Sequence, residues 1–313
     1  MQGHSSKSLS RAETHSNPNL AYAVQLAHAV CCLAGSASYL DDIRADLRDR
    51  GISRAVRNND TPALFDWLIE IMSFQGVSDA VASGYMAQHG SVRWTDVAEA
   101  LAQDPSCPKL GGYWRFYDCG YHKGANTCSE PSHIDGCPLP RHPLRNGRLN
   151  QMAYSLFLFM RDIAENDFVS WIDSQLVAVD AQSPDRLAAL REAIIGPLRN
   201  VYGVADKVLG MALSSLLLGA GKQRPLWLEV GATFVAVDTL VHNFLHRTGI
   251  LQRLCADHLY GDRCYQPGGC AGILGLLAAS VDAREFNPAF PATFPRFVRR
   301  SVLCERRREG FFG

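Results

Sequence analysis

With 313 residues, 47% of them apolar and 20% charged, the chain can bury a full core in one large domain or two small ones. It has no apolar run of about eighteen residues, so no membrane span is expected. Its formal net charge is zero. Many DNA-binding proteins are basic overall, so any contact with nucleic acid would have to rest on charge gathered on one face.

Residues 1–20 are polar, rich in Ser and His, and lack the apolar centre of a secretory signal, so they are expected to form a disordered tail. The expected location is cytoplasmic, nucleoid-associated in a prokaryote. Ten cysteines without a secretory signal suggest metal binding before a disulfide framework. Cys31 and Cys32 sit in an apolar helical run from Ala21 to Leu33 and are expected to be buried free thiols.

Asp41 to Asn59, dense in mixed charge, reads as a solvated helix and turn. Thr61-Pro62 opens the next helix, with Thr61 as N-cap and Pro62 at the first position. Leu64, Trp67, Leu68, Ile71 and Met72 give it an apolar stripe. Ser73-Phe74-Gln75-Gly76-Val77-Ser78-Asp79 separates it from another helix. Ser91 to Ala102 is helical. Residues 103–148 then turn rich in Cys, His, Pro and Gly and lose periodicity. Helices resume over Asn150 to Ala164, with Tyr154, Phe157, Leu158 and Met160 as core candidates, and over Phe168 to Val177. Arg186 to Asn200 and Asp206 to Leu218 form two helices around Val201-Tyr202-Gly203-Val204-Ala205. Asp206 suits an N-cap or first-turn position. Gly203 supplies the backbone freedom of a tight turn, whose amides can bind a phosphate. Phe234 to Val237 is an apolar run ending in Asp238, and a helix follows from His242 to a Gly249 cap. His242 and His246 lie one turn apart and can bind a metal or a phosphate, or be ordinary surface or core histidines. No strand alternation stands out, so the fold class is all-α.

Four of these stretches carry a resemblance. Val201-Tyr202-Gly203-Val204-Ala205-Asp206-Lys207 resembles the Leu-Pro-Gly-Val-Gly-x-Lys hairpin of the helix-hairpin-helix DNA glycosylases, the endonuclease III superfamily. Val237-Asp238-Thr239-Leu240-Val241 resembles their Val-Asp-Thr-His-Val. The Ser73 to Asp79 segment is similar to their Leu-Ser-x-Gln-x-x-Asp, and Arg247 with Gly249-Ile250 fits a later family position. Tyr202 and Ala205 depart from the pattern, which puts the phosphate grip in doubt, and Gly221 to Thr233 looks like an insertion. The resemblance implies two helical subdomains: a core over 61–220 carrying the hairpin and the inserted loop 103–148, and a second over 21–60 plus 221–313 carrying Asp238. It implies Lys207 as nucleophile, Asp238 as catalytic carboxylate, Gln75 as the filler of the gap left by a flipped base, and Gly203, Val204 and Ala205 as DNA-backbone contacts.

The implied activity is excision of a modified or damaged base, in the manner of base excision repair. A monomer would act on double-stranded DNA, with no membrane involved. A base within a duplex must be extruded, at a cost of about a few kcal/mol. A neutral lysine, favoured by a partly apolar pocket, can attack C1′ and form an imine that permits β-elimination, the AP-lyase step. The alternatives are a monofunctional glycosylase using water, a non-catalytic nucleic-acid-binding module stabilised by metal, and a metal-dependent scaffold.

Two cysteine clusters complete the reading. Cys119-x2-His122-x5-Cys128-x8-Cys137, with Cys107 and His133 nearby, makes a workable structural zinc site, against reduced structural cysteines. Lys123, Arg141, His142 and Arg145 in this loop are positioned to approach DNA. Cys255-x8-Cys264-x5-Cys270, with Cys304 downstream, stands where many endonuclease III relatives carry an iron–sulfur cluster, but the spacing differs. Buried cysteines in a Gly-Pro loop are the other reading. The arginines from Arg296 to Arg308 are either an exposed helix end or a phosphate-contacting patch.

Overall fold

The computed structural model describes residues 17–35, 37–73, 79–122, 125, 127–141, 147–183, 185–220 and 224–308. Gln75, Lys123, His142 and Arg145, and residues 1–16 of the expected tail, lie outside them. Among the described residues the chain is helical, and its one β feature is an isolated antiparallel bridge between His122 and Thr127. No single helix is long and apolar enough to cross a membrane. The chain divides into two compact units, Asp46–Ala212 and Met1–Ala45 with Leu213–Gly313. The breaks expected near 60 and 220 lie elsewhere than the divisions at Ala45/Asp46 and Ala212/Leu213, which fall inside helices.

The unit Asp46–Ala212 holds the end of α2 (Tyr39–Asp49), α3 (Ile52–Arg57), α4 (Thr61–Ser73), α5 (Asp79–His89), α6 (Trp94–Ala102), α7 (Tyr113–Phe116), α8 (Gly147–Asp162), α9 (Phe168–Val177), α10 (Arg186–Leu198) and the start of α11 (Asp206–Ala220). Helix α8 is its axis. Residues 150–160 are buried on every side, as expected of a helix that is apolar nearly all round. Phe157 meets Trp94 at 4.2 Å between ring centroids and Phe65 at 6.2 Å, joining α8 to α6 and α4.

The few polar side chains of α8 hold irregular backbone in place. Asn150 donates to the Leu139 carbonyl at 2.6 Å, Gln151 donates to the Cys119 carbonyl at 2.9 Å, and Ser155 accepts the Tyr202 amide at 3.0 Å. Buried polar groups are tolerated when they are hydrogen-bonded in this way. One helix thus supports both the cysteine-rich loop and the α10–α11 turn.

Thr61 is not the cap of α4. The carboxylate of Asp60 accepts the Ala63 amide, and the fully buried Thr61 hydroxyl accepts the Phe168 amide at 3.0 Å, tying the starts of α4 and α9 together. A carboxylate one residue upstream outcompetes the hydroxyl for the free amides of the first turn.

The other unit holds α1 (Pro18–Ala34), the start of α2, the end of α11, α12 (Pro225–Thr233), α13 (Thr239–Arg247), α14 (Ile250–Arg253), α15 (Cys270–Ser280) and α16 (Pro295–Arg308). Helix α1, capped by the Asn17 side chain, packs along α16 and α15. Phe286, Phe290, Phe294 and Phe297 form an aromatic cluster with centroids 5.0–5.9 Å apart where these helices meet. The segment that reads as an insertion, 221–233, contributes α12. A Cβ at Gly231 would lie 2.9 Å from Leu217 Cβ, and Ser214 donates to the Gly231 carbonyl at 2.7 Å, so α12 seats closely on α11. Cys31 is buried, and burial raises its thiol to about 11, whereas Cys32 is exposed rather than buried.

Candidate metal centre

Four side chains of the second unit converge. Their ligand atoms, one each from His242, His258, Cys264 and Cys270, all lie within 4.8 Å of one another. His242 Nδ1 is 3.4 Å from Cys270 Sγ and 3.6 Å from Cys264 Sγ, and His258 Nε2 is 3.4 Å from Cys270 Sγ. A tetrahedral zinc ion with Zn–S of about 2.3 Å and Zn–N of about 2.0–2.1 Å has S···N edges of about 3.6 Å. The donor set therefore has the chemistry and the size to hold a metal ion.

Each ligand is fixed by a local cause. His242 lies on the buried face of α13. His258 has its Nδ1 2.6 Å from the Ala256 carbonyl, which makes Nδ1 the N–H and leaves the Nε2 lone pair facing the site. Cys264 sits in a short 3-10 turn, Asp262–Tyr265. Cys270 is the first residue of α15, where helix amides favour a thiolate. The Gly268-Gly269 pair shapes the approach. Gly268 has φ +76°, and a Cβ on Gly269 would fall 2.2 Å from the Arg263 carbonyl oxygen.

Burial pushes the Cys270 thiol up to about 12, with Cys264 adding to the effect. Burial also lowers His242, helped by His258 and His246, so the imidazole is held in its neutral, ligating form. A divalent cation would reverse the thiol trend by favouring thiolates. His246 stays outside the set: it is exposed and faces Asp257 at 3.7 Å.

No family model, curated protein or solved structure matches this chain.

Of the four cysteines Cys255, Cys264, Cys270 and Cys304, the structure brings Cys264 and Cys270 together with two imidazoles; Cys255 is exposed, and the Cys304 side chain lies outside the described part. His242 was visible in the sequence as a candidate ligand. His258 was missed; the only available signal was its even spacing, six residues before Cys264, which is itself six before Cys270.

Asp238 lies four residues before His242. It caps α13: Oδ1 accepts the Val241 amide at 2.9 Å, while Oδ2 accepts from Arg299 Nη2 at 2.9 Å. Arg299 also donates through Nε to the Ala236 carbonyl, and burial lowers its pKa. Arg296 is buried too, donating to the Tyr39 hydroxyl at 3.0 Å. These two arginines of α16 are therefore structural rather than part of an open phosphate patch; the side chains of Arg306 to Arg308 lie outside the described part.

The α10–α11 turn belongs to the first unit. Gly203 is exposed with φ +73°, Val204 is buried and Ala205 is exposed. Asp206 is the first residue of α11 and stands in its first turn, as expected; its carboxylate accepts from Arg199 Nε at 2.9 Å. Lys207 is the next residue, partly exposed. Cys119, Cys128 and Cys137 line one small cavity together with Cys107 and His133. His122 is exposed, and its backbone pairs with Thr127.

Proposed function

We propose that the chain is a DNA glycosylase with an associated AP-lyase step, acting on a modified base flipped out of a duplex. The observation that carries this reading is the α10–α11 hairpin. Two helices meet at an exposed turn whose pivot, Gly203, holds a left-handed conformation, and Lys207 stands in the first turn of the second helix. A turn of this kind can present backbone amides to a phosphate while an amine waits beside it. The Val237-Asp238-Thr239 segment, with Asp238 at a helix start, supports the same reading.

In the proposed reaction the neutral Lys207 amine attacks C1′, and the glycosidic bond breaks with its electron pair leaving on the base, which takes up a proton. Asp238 supplies negative charge against the positive charge that develops on the sugar. In the lysine adduct the C1′–O4′ bond opens, O4′ takes up a proton and stays on C4′ as a hydroxyl, and C1′ becomes an imine carbon; loss of a C2′ proton then breaks the C3′–O bond and expels the 3′ phosphate. The metal centre would hold in place the chain that follows Asp238. A structural ion of this type contributes folding energy and takes no part in the reaction.

One observation favours a second reading. Both Asp238 oxygens are engaged, one by a helix amide and one by a guanidinium, so the carboxylate already has a structural task. On that reading the protein is a metal-stabilised nucleic-acid-binding module without catalysis.

Borohydride trapping on duplex DNA carrying an abasic site separates the two. A covalent adduct with wild type and none with Lys207→Ala is expected. Binding without an adduct favours the module, and an adduct that survives in Lys207→Ala overturns the assignment of the nucleophile.

A further inference from the structure

The geometry points to a second metal centre, in the unit Asp46–Ala212, held by the four thiolates of Cys107, Cys119, Cys128 and Cys137. The bound group is a thiophilic metal, either a zinc ion or an iron–sulfur cluster. This inference stands apart from the glycosylase reading, since it rests on the donors alone.

All four cysteines border one cavity, with Leu110, Phe116, Ile134 and Leu139 as its apolar wall. Three are buried and Cys128 is half-buried, and none is in a disulfide. The decisive feature is how the sulfurs are solvated. Cys128 Sγ accepts the amide of Glu130, two residues on, at 3.3 Å. The Gln151 side-chain amide adds a donor to Cys119 Sγ at 3.7 Å. A neutral thiol is a weak acceptor, and nothing in its own chemistry calls for amides aimed at two of the four sulfurs. Such donors match an anionic thiolate, and N–H···S bonds of this kind stabilise metal-bound sulfur.

The turns are also packed as pairs. A Cβ on Gly120 would lie 2.9 Å from Ser129 Oγ, so the Cys119-Gly120-Tyr121 turn abuts the Cys128-Ser129-Glu130 turn. The His122–Thr127 bridge closes the chain between them. A Cβ on Gly136 would lie 3.0 Å from Ser106 Oγ, which brings the residues preceding Cys137 and Cys107 together. The two pairs border one cavity, and soft thiolates select zinc or iron–sulfur over hard cations. His122, with its exposed ring, is not a ligand; Cys107 takes the fourth position.

The test is metal and sulfide analysis of the full chain purified without oxygen, with a visible absorption spectrum. Zinc at both centres gives two zinc per chain and no colour. An iron–sulfur cluster gives iron, acid-labile sulfide and a visible band beside one zinc. Either result supports the proposal. Cys107→Ser and Cys128→Ser should each lose the metal of this centre and keep that of the His242 centre, whereas His122→Ala should keep both. Wild type with a single metal per chain, or a loss in His122→Ala equal to that in Cys107→Ser, overturns it. Alkylation of folded wild type removes any dependence on the variants folding. Cys32 and Cys255 should react at once, and Cys107, Cys119, Cys128 and Cys137 only after the metal is stripped. Prompt labelling of Cys128 in untreated protein would refute the assignment.

Discussion

The Tyr265 hydroxyl accepts the Val237 amide at 2.8 Å and donates to the Val237 carbonyl at 3.0 Å. Tyr265 follows the ligand Cys264, and Val237 precedes Asp238. One side chain thus ties the metal-binding loop to the segment that sets the proposed catalytic carboxylate. Tyr265→Phe leaves both backbone groups without the hydroxyl, at a cost of ~1–3 kcal/mol. Chemical denaturation should show that loss while metal content stays at the wild-type level, and borohydride trapping should weaken. Unchanged stability would mean that the tie is dispensable.

Asp238 and Arg299 form the most sheltered ion pair around this segment, with side chains 26% and 13% exposed. Asp238→Asn keeps an oxygen for the Val241 amide but removes the charge opposite Arg299. Asp238→Ala removes the cap as well, worth about 1 kcal/mol, and leaves a sheltered guanidinium with one partner fewer, up to ~3–5 kcal/mol in buried cases. Stability in urea should fall in the order wild type, Asn, Ala. Trapping should be lost in both variants. Retained trapping in Asp238→Asn would remove the carboxylate from the proposed mechanism.

Stripping the metal should loosen the segment from Ala256 to Cys270 first, because its only regular structure is a 3-10 turn and its backbone is shaped around two ligands. Cys270→Ser and His258→Ala should each lose one metal per chain. Their unfolding temperature should drop by roughly 10 °C, given that ~1 kcal/mol moves Tm by about 2–4 °C in larger domains. Gly269→Ala should act like a ligand deletion, because the added Cβ meets carbonyl oxygens that cannot move without displacing Cys264. Wild-type metal affinity in Gly269→Ala would show that the loop is more adaptable than its packing implies.

Gly203 offers a test of the hairpin. At φ +73° a β-branched residue is strained by about 1–2 kcal/mol, and the site is exposed, so the penalty is conformational rather than steric. Gly203→Val should weaken binding to duplex DNA more than it lowers the melting temperature. Equal DNA affinity would mean the turn is not the phosphate contact.

The helices were legible because their cause is local. In the stripe of Leu64, Trp67, Leu68, Ile71 and Met72 all but the half-buried Ile71 are buried, and so is the core set Tyr154, Phe157, Leu158 and Met160. Metal ligation is not local in this sense. The spacing of Cys119, His122, Cys128 and Cys137 resembles a ligand set; in the fold His122 is exposed, while Cys107, from the far side of a short helix, borders the same cavity as the three cysteines. His258 lies in a loop without periodicity, and its role is set by the Ala256 carbonyl, which no side-chain pattern encodes. Arginines that look like a basic patch can equally be an internal brace, as Arg296 and Arg299 are, because only tertiary packing decides which face of α16 is covered.

Asp66 gives a prediction independent of either metal centre. Its carboxylate accepts the Trp94 amide at 2.7 Å at the start of α6. Burial raises its pKa, and the amide bond offsets this only in part. The folded state therefore holds the Asp66 proton more tightly than the unfolded chain, and between the two pKa values the native state binds more protons. The contribution of this group is present at low pH and is lost as pH rises from the ordinary carboxylate value through the raised one. Asp66→Asn keeps an oxygen for the Trp94 amide and has no charge to desolvate. It should be neutral or mildly stabilising at neutral pH, and it should flatten the acid side of the stability–pH curve. Asp66→Leu, which has no acceptor, should cost ~1–3 kcal/mol by leaving the amide unpaired. Urea denaturation across the acidic range distinguishes these outcomes. An Asp66→Asn variant as unstable as Asp66→Leu would show that the charge itself is needed there.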